Sequence, residues 1–269
     1  MLSLGAAMLF LASTWTVFAS DMRIPSGIAV DASGNVYVVD TGNSHIKKFS
    51  AQGRFLAEFG ELGTGDSGLR RPRGIAIASD GTVFVADTAN HRIQRFAHTG
   101  EPLGPWGAIG SGPGELILPS SVALNAYGEL YVTDTGNHRV VRLAPDGSQQ
   151  AEWTGLRFPH GLAIDSSGAV YVSDERGVVK FSETGERLAA WPGFGDPYGL
   201  ALSEDGTLYI TETDNGRVTA LSTAGDVAAT WGSEGEAIGQ FKYPEAVAVT
   251  PDGALLVADR GNDRVQLLR

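Results

Sequence analysis

The chain has 269 residues, with 31 Asp and Glu against 20 Lys and Arg, for a formal net charge of −11. Nucleic-acid affinity comes mainly from Lys and Arg neutralising phosphates, so this balance disfavours a nucleic-acid partner unless the cations gather on one face. The absence of Cys excludes disulfides, thiolate chemistry and Cys-ligated metal, while 36 Gly suit a chain of many tight turns.

In chain order, residues 1–19 carry no charge and are mostly apolar. Val17-Phe18-Ala19 offers small residues for a signal-peptide cut, although no Lys or Arg precedes the apolar stretch. From Pro25 onward one register repeats, restarting at Pro72, Pro119, Pro159, Pro197 and Pro244 in steps of 47, 47, 40, 38 and 47 residues. The copy at Pro72 shows the pattern. A short apolar strand at residues 74–77 meets a turn at Ser79-Asp80-Gly81, and an alternating strand at 83–86 follows. A polar loop, Asp87 to Arg92, leads to a third strand at 93–96. After a turn at Thr99-Gly100, a less regular fourth strand ends near Trp106. Strands bounded by Gly, Asp and Asn turns at this spacing predict antiparallel β structure. Units of this length predict propeller blades. The fold class is therefore all-β, a six-bladed β-propeller of four-stranded antiparallel blades, with residues 21–269 as one domain.

The sixth copy stops at Arg269, after its third strand, so its outer strand must come from elsewhere. Leu11-Ala12-Ser13-Thr14-Trp15 reads like Val227 to Trp231, an outer strand. The N-terminus is thus a rival closing strand, which would remove an exposed sheet edge. A cut after Ala19 would destroy it. A processed leader places the protein outside the cytoplasm, and a leader kept as a strand places it inside; the first is the expectation here.

The loops "DTANHRI" at Asp87 and "DTGNHRV" at Asp134 resemble the NHL repeat family. "DTGNSHIKKF" at Asp40 and "DRGNDRV" at Asp259 follow closely, "ETDNGRV" at Glu212 more loosely, and the Asp174 copy is shortened. The resemblance spans roughly Pro25 to Arg269 and implies a six-bladed propeller, often used as an interaction domain. Asp87/Arg92, Asp134/Arg139, Glu212/Arg217 and Asp259/Arg264 are each five residues apart and are read as structural ion pairs, since buried charges need partners. In the first copy His45 takes the Arg place, which predicts a weaker tie.

Up-and-down blades sort the loops onto two faces. One carries short acidic turns. The other carries the long inter-blade connections and the Asp-type loops, including Arg70, Arg71 and Arg73, but also Asp66, Glu115, Asp174, Glu175, Glu234 and Glu236, so it reads as mixed. The residue after each repeat Pro should sit at the mouth of the central channel. These are Ser26, Arg73, Ser120, His160, Tyr198 and Glu245, and they form the candidate ligand-binding site. They serve equally well as residues that plug and hydrate the channel.

Pro159-His160-Gly161 and the repeats also resemble the zinc-dependent peptide-amidating lyases, a likeness that implies several zinc-binding His from different blades. Here His160 alone matches; Ser26, Ser120 and Glu245 stand where others are wanted. No metal and no cofactor are therefore predicted, and catalytic residues stay unassigned. The expected function is a non-catalytic, monomeric binding propeller for a protein, peptide or glycan, without a membrane span. The alternative is a lyase or hydrolase at the channel mouth.

Overall fold

The computed structural model describes residues 14–269. Six sheets stand around one axis. The first blade runs outward from Pro25–Val30 through Val36–Asp40 and His45–Phe49 to Phe55–Phe59. The third, fourth and fifth blades are likewise four-stranded in sequence order. The second keeps three strands. Its outer edge is reduced to bridges between Ile93 and Trp106 and between Phe96 and Pro102, because Pro102 and Pro105 cannot donate to a ladder.

The sixth blade is closed by β1 (Trp15–Ala19), which pairs antiparallel with Arg264–Leu268. The closing strand is thus present, but in a different register from the one read in the sequence. Trp15 faces Leu268 and Ala19 faces Val265. In the internal outer strands it is Trp153, Trp191 and Trp231 that face the equivalents of Val265, namely Val140, Val178 and Val218. Ala19, not Trp15, is their counterpart, and it lies six residues before Pro25, as Trp153 does before Pro159. Trp15 instead packs edge-on against Phe241, with ring centroids 5.0 Å apart. Leu11 to Ser13, the start of the expected strand, lie outside the described residues.

The second strands of five blades are buried along their whole length. Each is covered on both faces by neighbouring blades, which explains their continuous apolar sequences. The core is accordingly divided into six clusters, one per interface between blades. The cluster joining the sixth blade to the first combines Leu256, Val265 and Leu267 with Ile28, Val38 and Phe49, and β1 adds Phe18. Ring closure therefore uses the same apolar packing as every other interface, not a special joint.

Each blade also holds one buried acid at the end of its second strand: Asp40, Asp87, Asp134, Asp174, Glu212 and Asp259, all with no exposed surface. Each accepts a backbone N–H from the incoming inter-blade connection, seventeen residues away, such as Ile117 N to Asp134 Oδ1 at 2.7 Å. In every blade but the fourth, where both meet Asp174 Oδ2, the other oxygen takes the blade's cation. Arg92, Arg139 and Arg264 reach Asp87, Asp134 and Asp259 at 2.8, 2.8 and 2.7 Å, and Arg217 reaches Glu212 at 2.8 Å. The two irregular blades substitute rather than omit. In the first, His45 turns to Glu58 at 3.1 Å, and Lys47, from two residues further along, stands 3.4 Å from Asp40. The weaker tie expected there is replaced by a second cation, 9 % exposed, that also donates to the Asp21 carbonyl. In the short fourth blade Arg176 reaches Asp174 at 2.9 Å from within the loop.

Candidate site at the channel mouth

The inner ring is built by the innermost strands. The mouth residue and the two after it from every blade line one narrow cavity of about 90 Å³. Six strands converging on an axis leave little room for side chains beyond the mouth. A Cβ on Gly161 would lie 2.0 Å from the Tyr198 carbonyl oxygen, and one on Gly27 would lie 2.1 Å from that of Arg73. Glycine at these positions lets neighbouring blades approach.

The structure brings all six mouth residues around this cavity. Arg73 Nη1 donates to the Tyr198 hydroxyl, joining the second blade to the fifth on the opposite side of the ring. Ser120 Oγ lies 3.3 Å from the same hydroxyl, and His160 stacks on the Tyr198 ring at 4.4 Å. Ser26 turns away to Thr41 Oγ1 at 2.5 Å. Glu245 pairs with Arg260 at 3.3 Å.

Burial dominates the electrostatics. It pushes the Glu245 carboxyl up from its ordinary value against the pull of Arg73 and Arg260. Together with the Arg73 charge it lowers His160 to about 4, against a smaller opposing pull from Asp174. Burial also lowers Arg73 itself, opposed by Glu245 and reinforced by nearby Arg260 and Arg71. The donor set does not fit zinc. One imidazole faces a guanidinium and a carboxylate already held by arginine, and no group of three metal-binding side chains occurs among the described residues.

A second, outer ring surrounds the first. The residue before each repeat proline has a positive φ: Ile24 54°, Arg71 48°, Leu118 49°, Phe158 45°, Asp196 50° and Tyr243 51°. For non-glycine residues this left-handed conformation costs about 1–2 kcal/mol each. It is the sharp corner by which each connection enters its innermost strand. Loops of the preceding blade hold three of these corners. The N–H groups of Leu118 and Phe158 donate to Nδ1 of His91 and His138 at 3.1 Å, and that of Ile24 donates to Asp263 at 2.7 Å. Leu118, Phe158 and Tyr243 remain 44, 43 and 47 % exposed. This ring lies two residues ahead of the mouth residues that the repeat singles out. The signal was available as the residue type before each repeat Pro. A further tie also went unread: Thr41, Thr88, Thr135 and Thr213, each following a buried acid, donate to the next blade's proline carbonyl.

The loop face is not evenly mixed, as its composition had implied. Arg23, Arg70, Arg71, Arg73 and Arg260 line one off-axis pocket between the sixth, first and second blades, with Glu245 as the carboxylate among its lining residues. On the other side of the mouth Asp196 faces Asp214 and Glu175, and burial together with their charge raises its carboxyl. Basic and acidic groups are separated within the face.

Residues 22–49, 69–96, 116–143, 156–178 and 241–266 match the family model of the NHL repeat; the fifth blade lies outside these stretches. Over 45 residues the chain is 49 % identical to Protein brain tumor of Drosophila melanogaster, a match covering 17 % of this chain and 4 % of that protein. Among solved structures, a gluconolactonase from Xanthomonas campestris superposes with a TM-score of 0.76 at 16 % identity, covering 95 % of this chain and 89 % of the other. A virginiamycin B lyase from Staphylococcus aureus gives 0.68 at 16 % identity, covering 95 and 98 %. At such identities the likeness concerns the fold. The repeats, the six sheets and the ring closure agree: the chain is a six-bladed β-propeller of the NHL-repeat family.

Proposed function

We propose that the protein is a binding propeller that takes a protein or peptide segment across the mouth of its channel. The carrying observation is the outer ring. Leu118, Phe158 and Tyr243 stand at one repeat position, on a strained backbone that a histidine of the preceding blade holds at Leu118 and Phe158, with nearly half of each side chain in water. Apolar side chains fixed around a polar centre suit a partner that buries them and makes a few directed hydrogen bonds. The inner ring is already cross-linked by the Arg73–Tyr198 bond and the His160 stack, a rigid floor for such a partner.

Panning a displayed peptide library on the intact protein tests this reading. The wild type should enrich sequences that the Leu118→Ala/Phe158→Ala/Tyr243→Ala variant does not, with unchanged circular dichroism and melting. Equal enrichment on both proteins would overturn it. A lyase or hydrolase at the same mouth is the second reading, favoured by His160 Nδ1, which is buried and accepts no hydrogen bond. It demands turnover, so a ligand recovered chemically unchanged after incubation counts for binding. An extracytoplasmic location belongs to the proposal as well: a cut ahead of Trp15 keeps β1, whereas a cut after Ala19 removes it.

A further inference from the structure

The off-axis pocket has a volume of about 360 Å³, within the range of small-ligand sites, roughly 300–1,000 Å³. Five arginines and one glutamate line it, in a chain whose net charge is −11. Arg23, Arg70 and Arg71 are exposed and have no ion-pair partner among the described residues. Arg260 shares Glu245, and Arg73 is bonded to Tyr198. Like charges crowded together cost free energy unless an anion joins them.

The internal repeat shows which of these arginines the fold itself requires. At the position of Arg71 the other blades carry Ile24, Leu118, Phe158, Asp196 and Tyr243. At that of Arg260 they carry Thr41, Thr88, Thr135, Glu175 and Thr213. At that of Arg73 they carry Ser26, Ser120, His160, Tyr198 and Glu245. Three different repeat positions each become arginine once, in two different blades, and all three open into the same pocket. At the Arg260 position, arginine even displaces the threonine that ties four other blades to their neighbours. The scaffold does not explain these choices, since other blades fold without them.

We propose that this pocket binds a small polyvalent oxyanion, a phosphate ester or polycarboxylate, through Arg71, Arg260 and the flanking Arg23 and Arg70. Planar guanidinium groups match the paired oxygens of both ligand types, and ligands with two or more charges gain most from several of them. The site is separate from the apolar ring and stands whether or not that ring takes a peptide.

Calorimetric titration of the full chain with pyrophosphate and with citrate, against chloride at matched ionic strength, tests the proposal. One saturable site is expected, and the probe that binds more tightly tells phosphate ester from polycarboxylate. Arg71→Leu and Arg260→Thr restore residues that other blades carry, so folding should survive. Each should weaken binding about tenfold or more. Arg157→Ala, which removes a cation paired with Glu175 outside the pocket, should leave it unchanged. The Leu118→Ala/Phe158→Ala/Tyr243→Ala variant should bind pyrophosphate as the wild type does, which separates failure of this site from failure of the peptide reading. No saturable binding of either probe, or equal binding by the Arg71→Leu/Arg260→Thr double variant, would overturn the proposal.

Discussion

Arginine is employed in two opposite ways in this molecule. Within the blades, Arg139 is 7 % exposed; its guanidinium bonds Asp134, Glu152 and the carbonyls of Ser111, Gly112 and Glu115. At the off-axis pocket, Arg71 is exposed and without an ionic partner among the described residues; it sits on the kind of connection that Arg139 grips from its strand. The first group is committed to folding, and its loss should be read in stability. The second is held ready for something else, and its loss should be read in binding. Burial makes the first group costly as well as useful: it pushes the Asp87 carboxyl up despite three donors and the Arg92 charge. Such pairs are expensive to break rather than strongly stabilising to make.

The sharpest break in this contrast is Asp134→Ala. It takes from Arg139 the more deeply buried of its two carboxylates, leaving Glu152, and removes the acceptor for Ile117 N–H and the Asn137 amide. A cost of about 3–5 kcal/mol is expected in chemical denaturation. A loss below about 1 kcal/mol would mean that the buried acids are not what holds the connections.

Acid should have the next largest effect, through the channel rather than the blades. The His160 pKa is lowered to about 4 by burial and by Arg73, against about 6.5 when unfolded. Between those values the unfolded chain binds a proton that the folded chain refuses. Stability therefore falls as the pH drops from about 6.5 to 4, by at most about 3 kcal/mol. Denaturation midpoints across this window should fall less steeply in His160→Gln.

Lys47→Met sharpens the comparison inside the first blade, where it leaves Asp40 without its cation. A cost of about 2 kcal/mol is expected, and His45→Arg in the same chain should recover part of it by rebuilding the ordinary pair. The smallest effect belongs to the pocket. Arg71→Ala should change stability by no more than about 0.5 kcal/mol, measured on the same denaturation curves, while weakening pyrophosphate binding about tenfold or more.

The periodic part of this structure was legible from residues alone. Turns, strand alternation and the five-residue acid–arginine spacing repeat along the chain, and each is local. The placement of Ser26, Arg73, Ser120, His160, Tyr198 and Glu245 around one cavity follows from that periodicity and from closure of the ring. What escaped was set by closure in other ways. Arg23 and Arg260 lie at opposite ends of the sequence and meet in one pocket because the sixth blade packs on the first. Lys47 took over a charge position from the neighbouring register, which a fixed spacing could not reveal. The offset of β1 escaped because the residues before Trp15 are similar to those before Trp231, while its sheet partner differs.

β1 also governs when the molecule can become itself. Its partner strand, Arg264–Leu268, leaves the ribosome long after Trp15 to Ala19. During synthesis Phe18 has no Val265 or Leu267 to pack against, and the growing row of blades has two raw edges. Closing so long a loop adds little entropy cost per residue but must await the sixth blade. Native pairings this distant in sequence form slowly. The ring should therefore close as a single late event, once the sixth blade has been made, and until then the waiting strand β1 is the segment most in need of protection from wrong partners.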